Sequence, residues 1–202
     1  MSVTSTGLVR SVAISLILAG LIMAGRIGLQ VNQQAAQQSA QDKAWSNFVE
    51  AAAGQSNAEA APPPTPGDEL PANVYLKLTL PKVDRSMVAV NGDWNSLKVA
   101  SMVHYRDSPA PGQKGNVLVA FHREPNWLDI NRVGAGDEVK IQTLDKKVWT
   151  YKIEFVRTVS PRDVDLLKPT DGNDLTLITC DPPWQDYNRM LFRAHLVEAP
   201  PT

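Results

Sequence analysis

The chain reads as an all-β domain behind an N-terminal apolar helix, and three features of its 202 residues lead there. Short runs of alternating apolar and polar residues recur from position 74 onward, turn-forming residues interrupt them, and one uncharged apolar run stands near the N-terminus. The alternating runs give about seven or eight strands with short helices between them. That count is consistent with a closed barrel, although periodicity alone leaves sandwich and barrel open.

Residues 11–25 are apolar and uncharged between Arg10 and Arg26, and the stretch 8–29 reaches the length of a membrane span if the arginines snorkel. A signal-peptide core is the alternative, because the run is short and small residues follow it. The favoured reading is a signal anchor, with 1–7 cytoplasmic and the remainder outside the cell membrane as a single-pass protein. Residues 30–71 are a spacer rich first in Gln and Ala, where Trp45, Phe48 and Val49 allow a short helix, and then in Pro from Pro62 to Pro66. The folded domain is expected over 72–199.

Within that domain, Val74, Leu76, Leu78 and Leu80 share one face of a first strand that stops at Pro81. Residues 87–90 suit a second strand, Asn91-Gly92 a turn, and Asp93 the cap of a short helix reaching Ala100. Strands follow at 117–122, 137–143 and 148–156, the last with Trp149, Tyr151, Ile153 and Phe155 on one apolar face. Asp145-Lys146-Lys147 reads as their hairpin turn, and 163–167 as one helical turn.

Leu175 to Thr179 then form a strand that ends at Cys180, the single cysteine, where Asp181-Pro182-Pro183 breaks the pattern. A lone cysteine in an exported chain makes no internal disulfide. It is an inert buried group, an intermolecular link or a working thiol, and its place at a rigid strand end favours the last. A second apolar run begins at Arg189 and returns beside the first. With 43% apolar residues and a net charge of −1 the chain has material for one ordinary core and no polyanion-binding surface, so nucleic acid is excluded as a partner. No acidic cluster has calcium spacing, so neither a metal nor another cofactor is expected.

Three motifs in order carry a family resemblance: Pro111-Gly112-Gln113-Lys114-Gly115-Asn116, the strand end Ala120-Phe121-His122, and Thr176-Leu177-Ile178-Thr179-Cys180 followed by Arg189. Over residues 74–197 the sequence resembles the sortases, which are cysteine transpeptidases. The resemblance implies a closed sortase-type barrel of about eight strands with its site in a groove at one end. It also implies cleavage of an LPxTG-like C-terminal sorting signal between Thr and Gly and transfer of the product to an amine. The partners would be secreted proteins bearing that signal, with a cell-wall precursor or a pilin as acceptor. The short Pro-Pro connection after Cys180 resembles class E.

Chemistry and resemblance together assign Cys180 as the nucleophile, His122 as general acid and base, and Arg189 as the oxyanion-stabilising cation. Spacing by itself would leave His122 a structural histidine. Arg193, four residues beyond Arg189 on the same strand face, is the alternative cation, and His195 is read as structural. The resemblance further places Thr179 in the substrate groove and gives His104, part of a His-Tyr pair, a supporting role beside it. Phe121 stands where many members have Gly, and the loop 123–128 is short; both bear on groove shape. The alternative function is a catalytically idle barrel that binds cell-surface peptides with Cys180 buried.

Overall fold

The computed structural model describes residues 5–54 and 74–201. The chain divides into two compact units, Met1–Ala36 and Gln37–Thr202. One helix, α1 (Ser5–Gly54), begins in the first unit and ends in the second. Within the first unit Ile14, Leu16, Ile17, Leu21, Ile22 and Met23 are exposed. Among the described residues no helix is long and apolar enough to cross a membrane, so the span expected over 8–29 is not found as such. The Gln- and Ala-rich part of the expected spacer is helical up to Gly54, because Ala, Gln, Lys and Glu are good helix formers. The Pro-rich part, 62–66, lies outside the described residues.

In the second unit eight strands close a barrel: β1 (Val74–Leu80), β2 (Arg85–Gly92), β3 (Met102–Tyr105), β4 (Gly115–Phe121), β5 (Glu138–Thr143), β6 (Val148–Val159), β7 (Asn173–Asp181) and β8 (Asn188–Glu198). Their order around it is β1-β2-β3-β4-β7-β8-β6-β5, with β5 paired back to β1. Two neighbouring pairs, β2 with β3 and β4 with β7, are parallel; the rest are antiparallel. Closure leaves no unpaired edge. The interior is filled by alternate residues of each strand, among them Leu76, Leu78, Val117, Val119, Leu175, Leu177 and Phe192. Outside the barrel, Trp45 of α1 is buried against Val74 and Val88.

Several elements depart from the sequence expectations. Asn91-Gly92 is not a turn but the end of β2, paired with His104 and Tyr105 of β3, a strand that its four residues were too few to announce. The turn falls one residue later, where Asp93 caps the 3-10 helix Trp94–Lys98 through the backbone N–H groups of Asn95 and Ser96, and Ser96 caps back. Strand β6 runs to Val159 and carries a bulge between Ile153 and Phe155. The extra residue moves Phe155 off the apolar face, and Val156 packs against the core in its place. Phe155 instead lies under the Arg157 guanidinium, 4.4 Å from its ring centroid.

β4 is buried along its whole length, which is why it reads as a continuous apolar run and not an alternating one. Asn116, on its outer face, donates to the carbonyls of Leu166 and Lys168 and accepts from the Thr176 hydroxyl, so the chain around the 3-10 helix Asp165–Leu167 is pinned over this strand. The loop before β4 is held by Gly112, whose N–H donates to the Tyr151 hydroxyl at 2.7 Å. Gly112 has φ +81°, and a Cβ there would stand 2.0 Å from the Trp149 ring. Both the left-handed backbone and the close ring demand glycine. Gly112→Ala is therefore expected to destabilise the barrel by at least about 2 kcal/mol. A urea titration reads this as a lowered midpoint at unchanged slope; an unchanged midpoint would show that the ring moves aside freely.

Candidate active site

Cys180 is the penultimate residue of β7, half-buried, and lies opposite Arg189, the second residue of β8, in antiparallel register. Strand pairing alone brings thiol and guanidinium to neighbouring backbone positions. Arg189 donates from Nη1 to the carbonyls of Asp186 and Asn188, each at 3.0 Å, which folds the side chain against the end of the connection. Its Nη2 and Nε make no hydrogen bond among the described residues and remain available to a ligand.

His122 follows β4. The parallel register of β4 and β7 ends with Ala120 beside Ile178, two residues before His122 on one strand and two before Cys180 on the other. The Thr179 hydroxyl, donating to the Phe121 carbonyl at 2.8 Å, holds the two strand ends together at that point. The His122 backbone N–H donates to the Ser101 carbonyl at 3.0 Å, and its ring Nε2 donates to the Leu97 carbonyl at 2.6 Å. A carbonyl only accepts, so in the neutral ring the proton sits on Nε2 and Nδ1 carries the lone pair.

Burial pushes the Cys180 thiol above its ordinary pKa. Of the charges around it, Arg189 pulls the value down most, Glu124 and Asp186 push it up, and Arg123 pulls it down. At neutral pH the resting group is the thiol, which a neighbouring base must deprotonate for attack.

The other expected residues stand elsewhere. Thr179 is buried on the core face of β7, and its hydroxyl, occupied by the Phe121 carbonyl, supports the strand ends. His104 is 2% exposed; Nε2 donates to the Pro109 carbonyl at 3.1 Å, and Nδ1 lies 3.0 Å from the Asn91 carboxamide. It joins β2, β3 and the loop before β4, against the Tyr75 ring. Arg193 pairs with Thr176, not Cys180, and is buried with its Nη2 on the Leu166 carbonyl at 2.6 Å and Nη1 3.7 Å from Asp174. His195 sits at the far end of β8 between Asp174 and Glu154. Phe121 packs inward against Trp127, with ring centroids 5.3 Å apart.

Residues the sequence reading passed over are Leu97, Arg123 and Asp181. Arg123 and Asp181 carry opposite charges directly after His122 and Cys180, and that adjacency is the only trace of their pairing in the sequence. Among the described residues no group of three or more His, Cys, Asp or Glu is placed to hold a metal ion.

The barrel has known counterparts. It superposes on the Sortase D5 transpeptidase of Clostridium perfringens with a TM-score of 0.60 at 24% identity, over 79% of this chain and 99% of that one. Sortase E1 of Streptomyces coelicolor, solved with a tripeptide in its active site, gives 0.57 at 25% identity over 64% of this chain and 91% of that one. The Sortase domain family model matches residues 78–197, and the chain belongs to the sortase family. Sortase SrtE1 of Streptomyces coelicolor is 31% identical over 157 residues, 68% of this chain and 44% of that protein. Sortase A of Listeria monocytogenes is 26% identical over 122 residues, 58% of this chain and 54% of that protein. The chain thus spans about half the length of these curated relatives.

His104 links stability to pH. Burial holds its pKa below the ordinary value despite the hydrogen bond to Pro109. The unfolded ring takes up its proton near pH 6.5, whereas the folded ring does so only at lower pH. The contribution of the neutral ring is therefore fully present above about pH 6.5 and is lost as pH falls from there through the folded value. Thermal melts between pH 7.5 and 5 should show falling stability, and His104→Gln should flatten that slope; an equal slope in both proteins would assign the effect to another group.

Proposed function

We propose that the protein is a cysteine transpeptidase acting on a C-terminal sorting signal. The observation that carries this is the facing pair Cys180 and Arg189, with His122 directly after β4, the parallel neighbour of the strand that bears Cys180. In the first step the Cys180 proton passes to His122 Nδ1 as Sγ attacks the scissile carbonyl. The developing oxyanion accepts from the free N–H groups of Arg189. Collapse breaks the C–N bond, the amine leaves with the proton held by His122, and a thioester remains on Cys180. An acceptor amine then attacks the thioester and gives its proton to His122, the C–S bond breaks, and His122 returns the proton to the departing Cys180 thiolate, so a new amide replaces the old one.

Arg189 fits the oxyanion role better than Arg193, whose guanidinium is bound to Leu166 and Asp174 four residues down the strand. The substrate proposed is an LPxTG-like signal cut between Thr and Gly, and the acceptor an amine of the cell envelope or of a pilin. Likeness to Sortase SrtE1 supports the class E reading. The exposed apolar side chains of α1 in the first unit support retention of 8–29 as a membrane anchor, which would leave the barrel outside the cell.

A panel of sorting peptides and amines, with joined products identified by mass, tests the reaction. Cys180→Ala should abolish thioester formation with the fold intact, and His122→Ala should lose nearly all turnover while His104→Ala and His195→Ala keep a measurable share. Wild-type cleavage by Cys180→Ala would reject Cys180 as the nucleophile, whereas peptide binding without cleavage by the unsubstituted protein would favour a binding module.

Arginine substitutions separate the two cations. Arg189→Lys keeps the charge but loses the planar fork, and kcat is expected to fall on the order of 100-fold with little change in KM. Arg193→Lys should be mild in kcat. A larger kcat loss at position 193 would transfer the oxyanion role there.

A further inference from the structure

Arg123 and Asp181 make an ion pair whose position is more telling than its strength. Arg123 Nη1 donates to Asp181 Oδ1 at 2.5 Å and reaches the Cys180 carbonyl at 3.5 Å. Its side chain is only 5% exposed, and that of Asp181 is 22% exposed. The second carboxylate oxygen accepts from the Thr158 hydroxyl of β6 at 3.0 Å. One carboxylate thus ties together the residue after His122, the residue after Cys180 and the far end of β6. Desolvation consumes most of what a buried ion pair gains, so such a pair is a poor source of stability and a better device for fixing register.

We propose that the Arg123–Asp181 pair is a positioning element, fixing His122 relative to Cys180 across the ends of β4 and β7 and balancing the charge beside the thiol. The proposal rests on the reading of Cys180 as nucleophile and His122 as base. Backbone pairing of β4 and β7 stops at Ala120 and Ile178, so beyond that point side chains must hold the two ends in step. Thr179 supplies one tie, on the core side, through the Phe121 carbonyl. Arg123 and Asp181 supply the other, one residue beyond the reacting groups. Without it, His122 would remain attached to Leu97 and Ser101, and the Thr179 hydroxyl alone would tie the end of β7 to the end of β4.

The charged groups around Cys180 are Arg189 and Asp186 from β8 and the connection before it, Arg123 and Glu124 from the loop after β4, and Asp181 on its own strand. Removing either partner therefore moves the local charge in opposite directions. Arg123→Gln leaves the Asp181 carboxylate unbalanced near the thiol, and Asp181→Asn leaves the Arg123 guanidinium unbalanced.

The test uses the full chain with Arg123→Gln, Arg123→Lys, Asp181→Asn and Cys180→Ala. Three quantities are measured: the rate of Cys180 alkylation by iodoacetamide against pH, kcat and KM for a sorting peptide, and the thermal midpoint. The alkylation profile should move to higher pH in Arg123→Gln and to lower pH in Asp181→Asn, each by about one unit or less. In both, kcat should fall by roughly 10- to 100-fold with KM within about twofold, because misplacement of the base costs rate more than binding. Arg123→Lys should recover part of kcat. A changed thermal midpoint with unmoved alkylation profile and kcat, or profiles moving the same way in both variants, would reduce the pair to a structural contact. If Arg123→Gln does not fold, the direction of the Asp181→Asn profile decides. Peptide transfer persisting in Cys180→Ala would overturn the reading of Cys180 as nucleophile, and the alkylation profiles would still report on the charge balance.

Discussion

The parallel pairing of β4 with β7 is the constraint on which the site depends. Two strands from distant parts of the chain run side by side in the same direction, so their C-terminal ends emerge together. One end presents His122 and the other Cys180. An antiparallel partner for β7 at this edge would put the end of one strand against the start of the other. On the opposite side of β7 an antiparallel partner is what is needed, because β8 begins where β7 stops and its second residue, Arg189, faces the thiol. One strand with one parallel and one antiparallel neighbour therefore gathers three functional groups at a single rim of the barrel.

Rigid pairing brings those groups near one another, and local hydrogen bonds set their orientation. The His122 ring is held by Leu97, which belongs to the 3-10 helix capped by Asp93, and its backbone is held by Ser101. The segment 93–101 thus decides which ring nitrogen is free for proton transfer. Thr179 and the Arg123–Asp181 pair bind the same strand ends from two sides. Burial keeps the thiol protonated at rest even with two guanidinium groups nearby, so the proposed reaction would include its deprotonation, the step proposed for His122.

Elements whose residues alternate or carry a capping signal were legible in the sequence. β1, the β5–β6 hairpin, the Asp93-capped helix and the strand bearing Cys180 follow from apolar period, turn residues and caps, all of which act within a few residues. β3 was not legible, because four residues are too few for a period, and neither was the bulge that turns Phe155 out, because alternation assumes a regular ladder.

Cys180, His122 and Arg189 were named from the sequence because their types and order match a family pattern and their chemistry suits acyl transfer. Tertiary structure alone decided what surrounds them: Thr179 turned inward, His104 buried between strands, Arg193 engaged with Leu166, and Arg123 joined to Asp181. The physical reason is that a residue's type and its neighbours along the chain fix its chemical capacity and local conformation. Partners 58 residues apart, as Arg123 and Asp181 are, meet only through strand order and register, which depend on how the whole barrel closes.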